Sequence, residues 1–158
     1  MKRIYLFPNR LKLPALVVFV ISMILIILQI SGYEIVINAT VFAFISDSFG
    51  AKKVTFGFVE QNIYDEILNC AFFISGAILA FSKEKIEDEI ITFLRFKSLV
   101  YAVYCMLSLL ILSEIFIYGM SFLTFLVVYF YAFVIFLNIF YYSKLFIYKK
   151  QFSHENED

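Results

Sequence analysis

Pro14-Ala15-Leu16-Val17-Val18-Phe19-Val20-Ile21-Ser22-Met23-Ile24-Leu25-Ile26-Ile27-Leu28-Gln29-Ile30 is an unbroken apolar run with no charged side chain. With Ser31 and Gly32 it makes about nineteen residues, enough to cross about 30 Å of hydrocarbon at about 1.5 Å per residue. Pro14 suits the opening turn of such a helix, where its missing N–H has no intrahelical partner to lose. The run is too long for a signal peptide, and no small-x-small cleavage pattern follows it cleanly, so a retained helix is predicted.

The remainder of the chain repeats this pattern. Of 158 residues, 63% are hydrophobic, more than a soluble domain of that size hides behind a polar surface. Further apolar runs give predicted helices at about 61–82, 98–120 and 121–142, after the first at about 14–32. Within the second, Gly76 and Ala80 stand four apart and admit a neighbouring backbone. The last two are separated only by the stretch around Tyr118-Gly119-Met120, which makes them an antiparallel helical hairpin.

Lysine and arginine set the orientation, because short basic loops stay on the cytoplasmic side. Lys2, Arg3, Arg10 and Lys12 precede the first run; Lys83, Lys85, Arg95 and Lys97 separate the second and third; Lys144, Lys149 and Lys150 follow the fourth. Only Lys52 and Lys53, out of 13 basic residues, fall on the other side. Both termini are therefore expected in the cytoplasm.

The external segment 33–60 holds two β-branched and aromatic stretches, Glu34 to Ile45 and Val54 to Val59, around the turn-forming Asp47 to Lys53. A small β-hairpin follows from that pattern. A continuous span here is disfavoured by Glu34, Asn38 and Asp47. The connector 83–97 places Ile86, Ile90, Phe93 and Leu94 at helical spacing with charges elsewhere, which predicts a cytoplasmic amphipathic helix carrying a Lys85–Glu89 pair. The tail is 149–158, and its polar end, Ser153 to Asp158 with the single histidine His154, is expected to be disordered. The expected fold is thus all-α membrane: a single domain, a four-transmembrane-helix bundle with a small external β-hairpin and a cytoplasmic amphipathic helix.

Phe7-Pro8-Asn9, Asn62-Ile63-Tyr64-Asp65-Glu66-Ile67, and Phe81-Ser82-Lys83-Glu84-Lys85-Ile86-Glu87-Asp88-Glu89 followed by Arg95 and Ser98 to Tyr104 resemble a family of small four-helix integral membrane proteins of Bacteroidota. The resemblance covers nearly the whole chain, and the charged segment with Arg95 is its most distinctive part. It implies the topology above and a bacterial inner-membrane location. The family has no assigned activity, so no catalytic residue carries over.

Glu114 is the one ionisable side chain within the apolar part of the third run. Carboxylates inside a bilayer are costly and face protein or water. By helix rise it falls in the outer leaflet, at the depth of Asp65, Glu66 and Asn69 on the second run and near Gln29 on the first. These residues form a candidate polar cluster for a cation or a proton. The plainer alternative is a neutral or snorkelling Glu114 near a helix end, making one interhelical hydrogen bond.

Glu84, Glu87, Asp88 and Glu89, with Arg95, form a candidate docking surface for a cytoplasmic partner. A chelating role for positions 84, 87 and 88 is opposed by the interleaved lysines, which point to a self-paired, solvated face. Asn138 on the fourth run is expected to make an interhelical hydrogen bond. Cys70 and Cys105 lie in apolar runs and suit packing. No phosphate loop, His-Glu-x-x-His pattern or nucleophile elbow is present, so no cofactor, metal or catalytic residue is expected. With zero net charge, nucleic acid is not an expected partner.

The function expected on these grounds is a non-enzymatic accessory or regulatory membrane subunit, its partners being the lipid bilayer and a larger membrane protein. The alternative is a homo-oligomeric ion or proton channel or transporter using the outer-leaflet carboxylates.

Overall fold

The computed structural model describes residues 6–33, 35–46, 54–85 and 87–155, with side chains from 55 in the second strand and up to 151 at the C-terminal end. Lys2, Arg3, Glu34, the turn from Asp47 to Lys53, Ile86, the end of the tail and the His154 side chain lie outside the described residues. Four helices and a two-stranded antiparallel sheet follow in the order α1 (Lys12–Ile30), β1 (Asn38–Ser46), β2 (Val54–Asn62), α2 (Tyr64–Phe81), α3 (Glu89–Phe116) and α4 (Met120–Glu155). Each helix contains a segment long and apolar enough to cross a membrane. Side chains such as Ile24, Leu28, Leu112 and Val127 stand exposed on these helices, as expected where the surrounding solvent is hydrocarbon. The chain divides into two compact units, one of Met1–Val17 with Phe73–Asp158 and one of Val18–Phe72.

In the first unit, small residues let helices approach. Ala80, Ala102 and Leu137 form a buried cluster against Phe81, Leu99, Phe133 and Phe140. Asn138 Nδ2 donates to the carbonyl of buried Gly76 at 3.1 Å and to Val134 O at 2.9 Å, so the expected interhelical hydrogen bond forms at the small-residue position of α2. The α3–α4 turn is held by Gly119, whose φ of +69° is a conformation that side-chain-bearing residues adopt only with strain.

The predicted amphipathic helix over 83–97 begins later than its spacing suggests. Residues 83–85 and 87–88 are not helical, and α3 starts at Glu89. Asp88 is the cause. Its backbone is extended at φ −118° and ψ 160°, and its carboxylate accepts from Glu89 N at 2.6 Å, which makes it the N-cap of α3. The helix-spaced Ile90, Phe93 and Leu94 thus belong to the first turns of α3, and a helical Lys85–Glu89 pair does not form. The connector instead joins the N-terminal segment. Phe7 N donates to Phe81 O at 3.0 Å, Lys83 N to Phe7 O at 2.9 Å, and Asn9 Nδ2 to Lys83 O at 2.6 Å. At the other end, α4 runs 36 residues, well past the predicted end near Tyr142, and helix continues through residues expected to be disordered.

In the second unit, Phe19 of α1 stacks on Phe72 of α2 at 4.8 Å. The predicted hairpin forms, its second strand running to Asn62 and so past the expected limit at 60, with strands paired from Asn38↔Asn62 through Phe42↔Phe58 to Ser46↔Val54. Asn62 ties it to α2. Its Oδ1 accepts from Ile37 N at 2.9 Å and from Tyr64 N at 3.1 Å, at the start of the helix.

Candidate functional site

Connector, α3 and α4 meet in the first unit around two buried charges, Glu84 at 8% and Arg95 at 5% exposure. A charge is buried at a cost of several kcal/mol unless paired, so its partners define the site. Glu84 Oε1 is paired with Lys12 Nζ of α1 and accepts from Tyr141 Oη at 3.1 Å, and Oε2 meets Lys149 Nζ at 3.2 Å. Arg95 donates through Nη1 to Glu87 Oε1 at 2.9 Å, and through Nη2 to Ser82 O at 3.0 Å and Tyr141 Oη at 3.1 Å. Tyr141, 1% exposed, therefore bridges the two charges, accepting from the guanidinium and donating to the carboxylate. Glu87 also accepts from Glu84 N at 2.8 Å, which shapes the non-helical connector.

Four separate elements supply this network, which explains its position. Lys12 opens α1 and lies 4.9 Å from the Tyr142 ring centroid, a cation–π contact that fixes its ammonium. Tyr142 Oη in turn donates to Leu79 O at 3.2 Å. The extension of α4 past Tyr142 delivers Tyr148 to Asp88 at 3.2 Å and Lys149 to Glu84. Burial pushes the Glu84 carboxyl up, but the hydrogen bonds and charges of Lys12 and Lys149 outweigh it and hold the group below the usual carboxylate range.

Beside the network lies a cleft of about 880 Å³. Leu13, Leu16, Leu79 and Ile91 give it apolar walls, and Lys12 and Lys149 stand at its charged end.

The expected docking residues are divided by this arrangement. Glu84 and Arg95 face inward, whereas Glu87, Asp88 and Glu89 remain exposed. Of the candidate polar cluster, Gln29 Nε2 donates to Asp65 Oδ1 at 2.8 Å in the second unit. Asp65 and Glu66 occupy the first turn of α2, where carboxylates are favoured by the helix dipole. Glu66 also borders a cavity of about 400 Å³ with Val41, Val59 and Ile63, and Asn69 lies one helical turn further on. Glu114 is exposed, near the end of α3 in the first unit.

Lys12, Tyr141 and Lys149 were not legible as partners of Glu84, because they lie 57 to 72 positions away and no local spacing links them. The one available signal is the tandem Tyr141-Tyr142 at the end of an apolar run, followed by lysines.

A second surface stands out on the hairpin. Phe42, Phe44, Phe56 and Phe58 share one face and are 50 to 75% exposed, while Val41, Ala43, Gly57 and Val59 on the opposite face are half-buried. The rings contact edge-to-face, Phe42 with Phe58 at 5.5 Å and Phe44 with Phe56 at 5.4 Å. Phe56 has φ +53°, a strained conformation for an aromatic residue. Comparison with family models, curated proteins and solved structures returns no match.

Proposed function

We propose that this chain is a multi-pass protein of the bacterial cytoplasmic membrane, of the four-helix Bacteroidota type, that works as a non-enzymatic accessory or regulatory subunit. The observation that carries this is the phenylalanine face of the hairpin. Four exposed aromatic rings on one face of a two-stranded sheet form the kind of patch that soluble surfaces avoid and interaction sites use. An isolated hairpin is marginal in water, so a partner covering that face would also stabilise it.

The orientation is supported by the basic residues, and by the gathering of Lys12, the connector and Lys149 around Glu84. These belong to the N-terminal, central and C-terminal parts of the chain, which supports their lying together on one side of the membrane. The ionisable groups of the network are engaged with one another, which favours a structural part for them over acid–base chemistry. Exposed Glu87, Asp88 and Glu89 offer a secondary contact on the inner side.

Photo-crosslinking from position 58 in living cells tests the docking. With Phe58 replaced by benzoylphenylalanine, one protein adduct of defined mass is expected, lost when Phe44→Ser is added. Labelling of lipid alone would end the proposal. An oligomeric cation or proton pathway is the second reading, favoured by the Gln29–Asp65 hydrogen bond that joins two of the candidate polar residues. Ion flux in liposomes that is absent, or indifferent to Glu114→Gln, would remove it.

A further inference from the structure

The cleft beside Glu84 has a polarity that its walls alone do not explain. Both carboxylate oxygens of Glu84 are already occupied, Oε1 by Lys12 and Tyr141 and Oε2 by Lys149. Asp88 is likewise engaged, accepting from Glu89 N and Tyr148 Oη. Each of these carboxylate oxygens thus already faces a donor. An ammonium carries three N–H groups, and Lys12 and Lys149 each direct one at Glu84. Lys85, also on the cleft, is exposed with no partner among the described residues. Three cations against two carboxylates leave the charged end with an excess of positive charge and spare donors, a setting complementary to an anion.

The rest of the cleft suits a chain. Lys12 is the first residue of α1, and Leu13 and Leu16 follow within the next turn on the cleft wall, 74% and 50% exposed. They belong to a segment apolar enough to cross a membrane, so this wall continues from the charged end into hydrocarbon. Leu79 and Ile91, 2% and 4% exposed, form an apolar floor. A volume of about 880 Å³ is at the upper end of the range for sites that enclose a small organic ligand. The order of charge, then apolar wall, along one helix is that of an anionic phospholipid.

We infer that the cleft holds one anionic phospholipid, its phosphate at Lys12, Lys149 and Lys85 and an acyl chain along Leu13 and Leu16. The site shares no residue with the hairpin and does not depend on the docking proposed above. A lysine beside an anionic headgroup favours it by about fivefold, so Lys85 and Lys149, the exposed members, together give a selectivity over a zwitterionic lipid of more than about tenfold, while the charge of Lys12 is matched by Glu84.

The full chain in nanodiscs, released into detergent and weighed by native mass spectrometry, provides the test. Dioleoyl phosphatidylglycerol and dioleoyl phosphatidylcholine are supplied in equal amounts, and glycerol 3-phosphate is added as the soluble competitor. The expected result is one retained phosphatidylglycerol per chain, preferred by at least about tenfold. The exposed pair Lys85→Gln and Lys149→Gln should bring the preference to within about twofold. Leu16→Trp should eject the lipid while the unfolding midpoint of the delipidated protein stays unchanged, which separates a blocked cleft from a misfolded protein. Equal retention of the two lipids, or a full preference in the double lysine variant, would overturn the site. Displacement of the lipid by equimolar glycerol 3-phosphate would overturn the lipid as occupant and assign the cations to a soluble phosphate ester.

Discussion

Glu84 is the residue on which the first unit turns, because it takes charge from α1 and α4 while itself standing on the connector. Truncating one partner of a buried charge network leaves the others uncompensated, at about 3–5 kcal/mol. Glu84→Gln keeps the shape and leaves Lys12 and Tyr141 facing a neutral amide, so a loss of about 3 kcal/mol is expected in reversible unfolding followed by near-UV circular dichroism. The same residue sets an acid dependence. Its folded carboxyl lies below the ordinary value of 4.5, so its stabilisation is complete above that value and is lost as the pH falls through the lowered one. The wild-type unfolding midpoint should therefore drop on acidification below about pH 4.5, and the midpoint of Glu84→Gln should drop less. Asn138 is a milder case. Its bond to Gly76 O is the interhelical one, and such bonds average about 0.6 kcal/mol, so Asn138→Ala should cost under about 1 kcal/mol in the same assay.

At the scale of elements, the connector and the two hairpins show where sequence patterns suffice and where they fail. The β-hairpin was legible because β-branched and aromatic residues alternate around a polar turn, and its strands lie within a few residues of their predicted limits. The connector was only half legible. Ile90, Phe93 and Leu94 have the helical period that their spacing predicts, but nothing in periodicity says that Asp88 will cap the helix and leave Glu84 facing inward. Glu84 then faces the protein although its neighbours are charged, because lysines brought by other elements neutralise it. The helical hairpin depends on one backbone conformation. A Cβ at Gly119 would meet nothing within 4 Å, so the cost of Gly119→Ala is conformational, about 1 kcal/mol, and it should appear as a lowered midpoint without loss of helix content. In the β-hairpin, Phe42→Ser with Phe56→Ser should leave helix content intact and abolish the crosslink from position 58.

For the molecule as a whole, the apolar runs and the basic residues carried most of the information. Runs as long as Pro14 to Ile30 leave no choice but a helix when the solvent is lipid, since every backbone N–H must be satisfied within the segment. The candidate site was less legible because a buried network is made by packing: Lys12, Glu84, Tyr141 and Lys149 acquire their meaning only when four elements meet. Helix ends were also hard to place, since the last turns of α4 are polar and continue as helix where they reach the connector. The topology that unites these features is directly measurable. Cys70 and Cys105 are replaced by serine, and single cysteines are introduced by Thr40→Cys, Lys85→Cys and Lys150→Cys for labelling with a membrane-impermeant maleimide. Position 40 should label in intact spheroplasts, and positions 85 and 150 only after permeabilisation. Labelling of position 85 or 150 from outside, or protection of position 40 until the membrane is opened, would contradict the proposed topology.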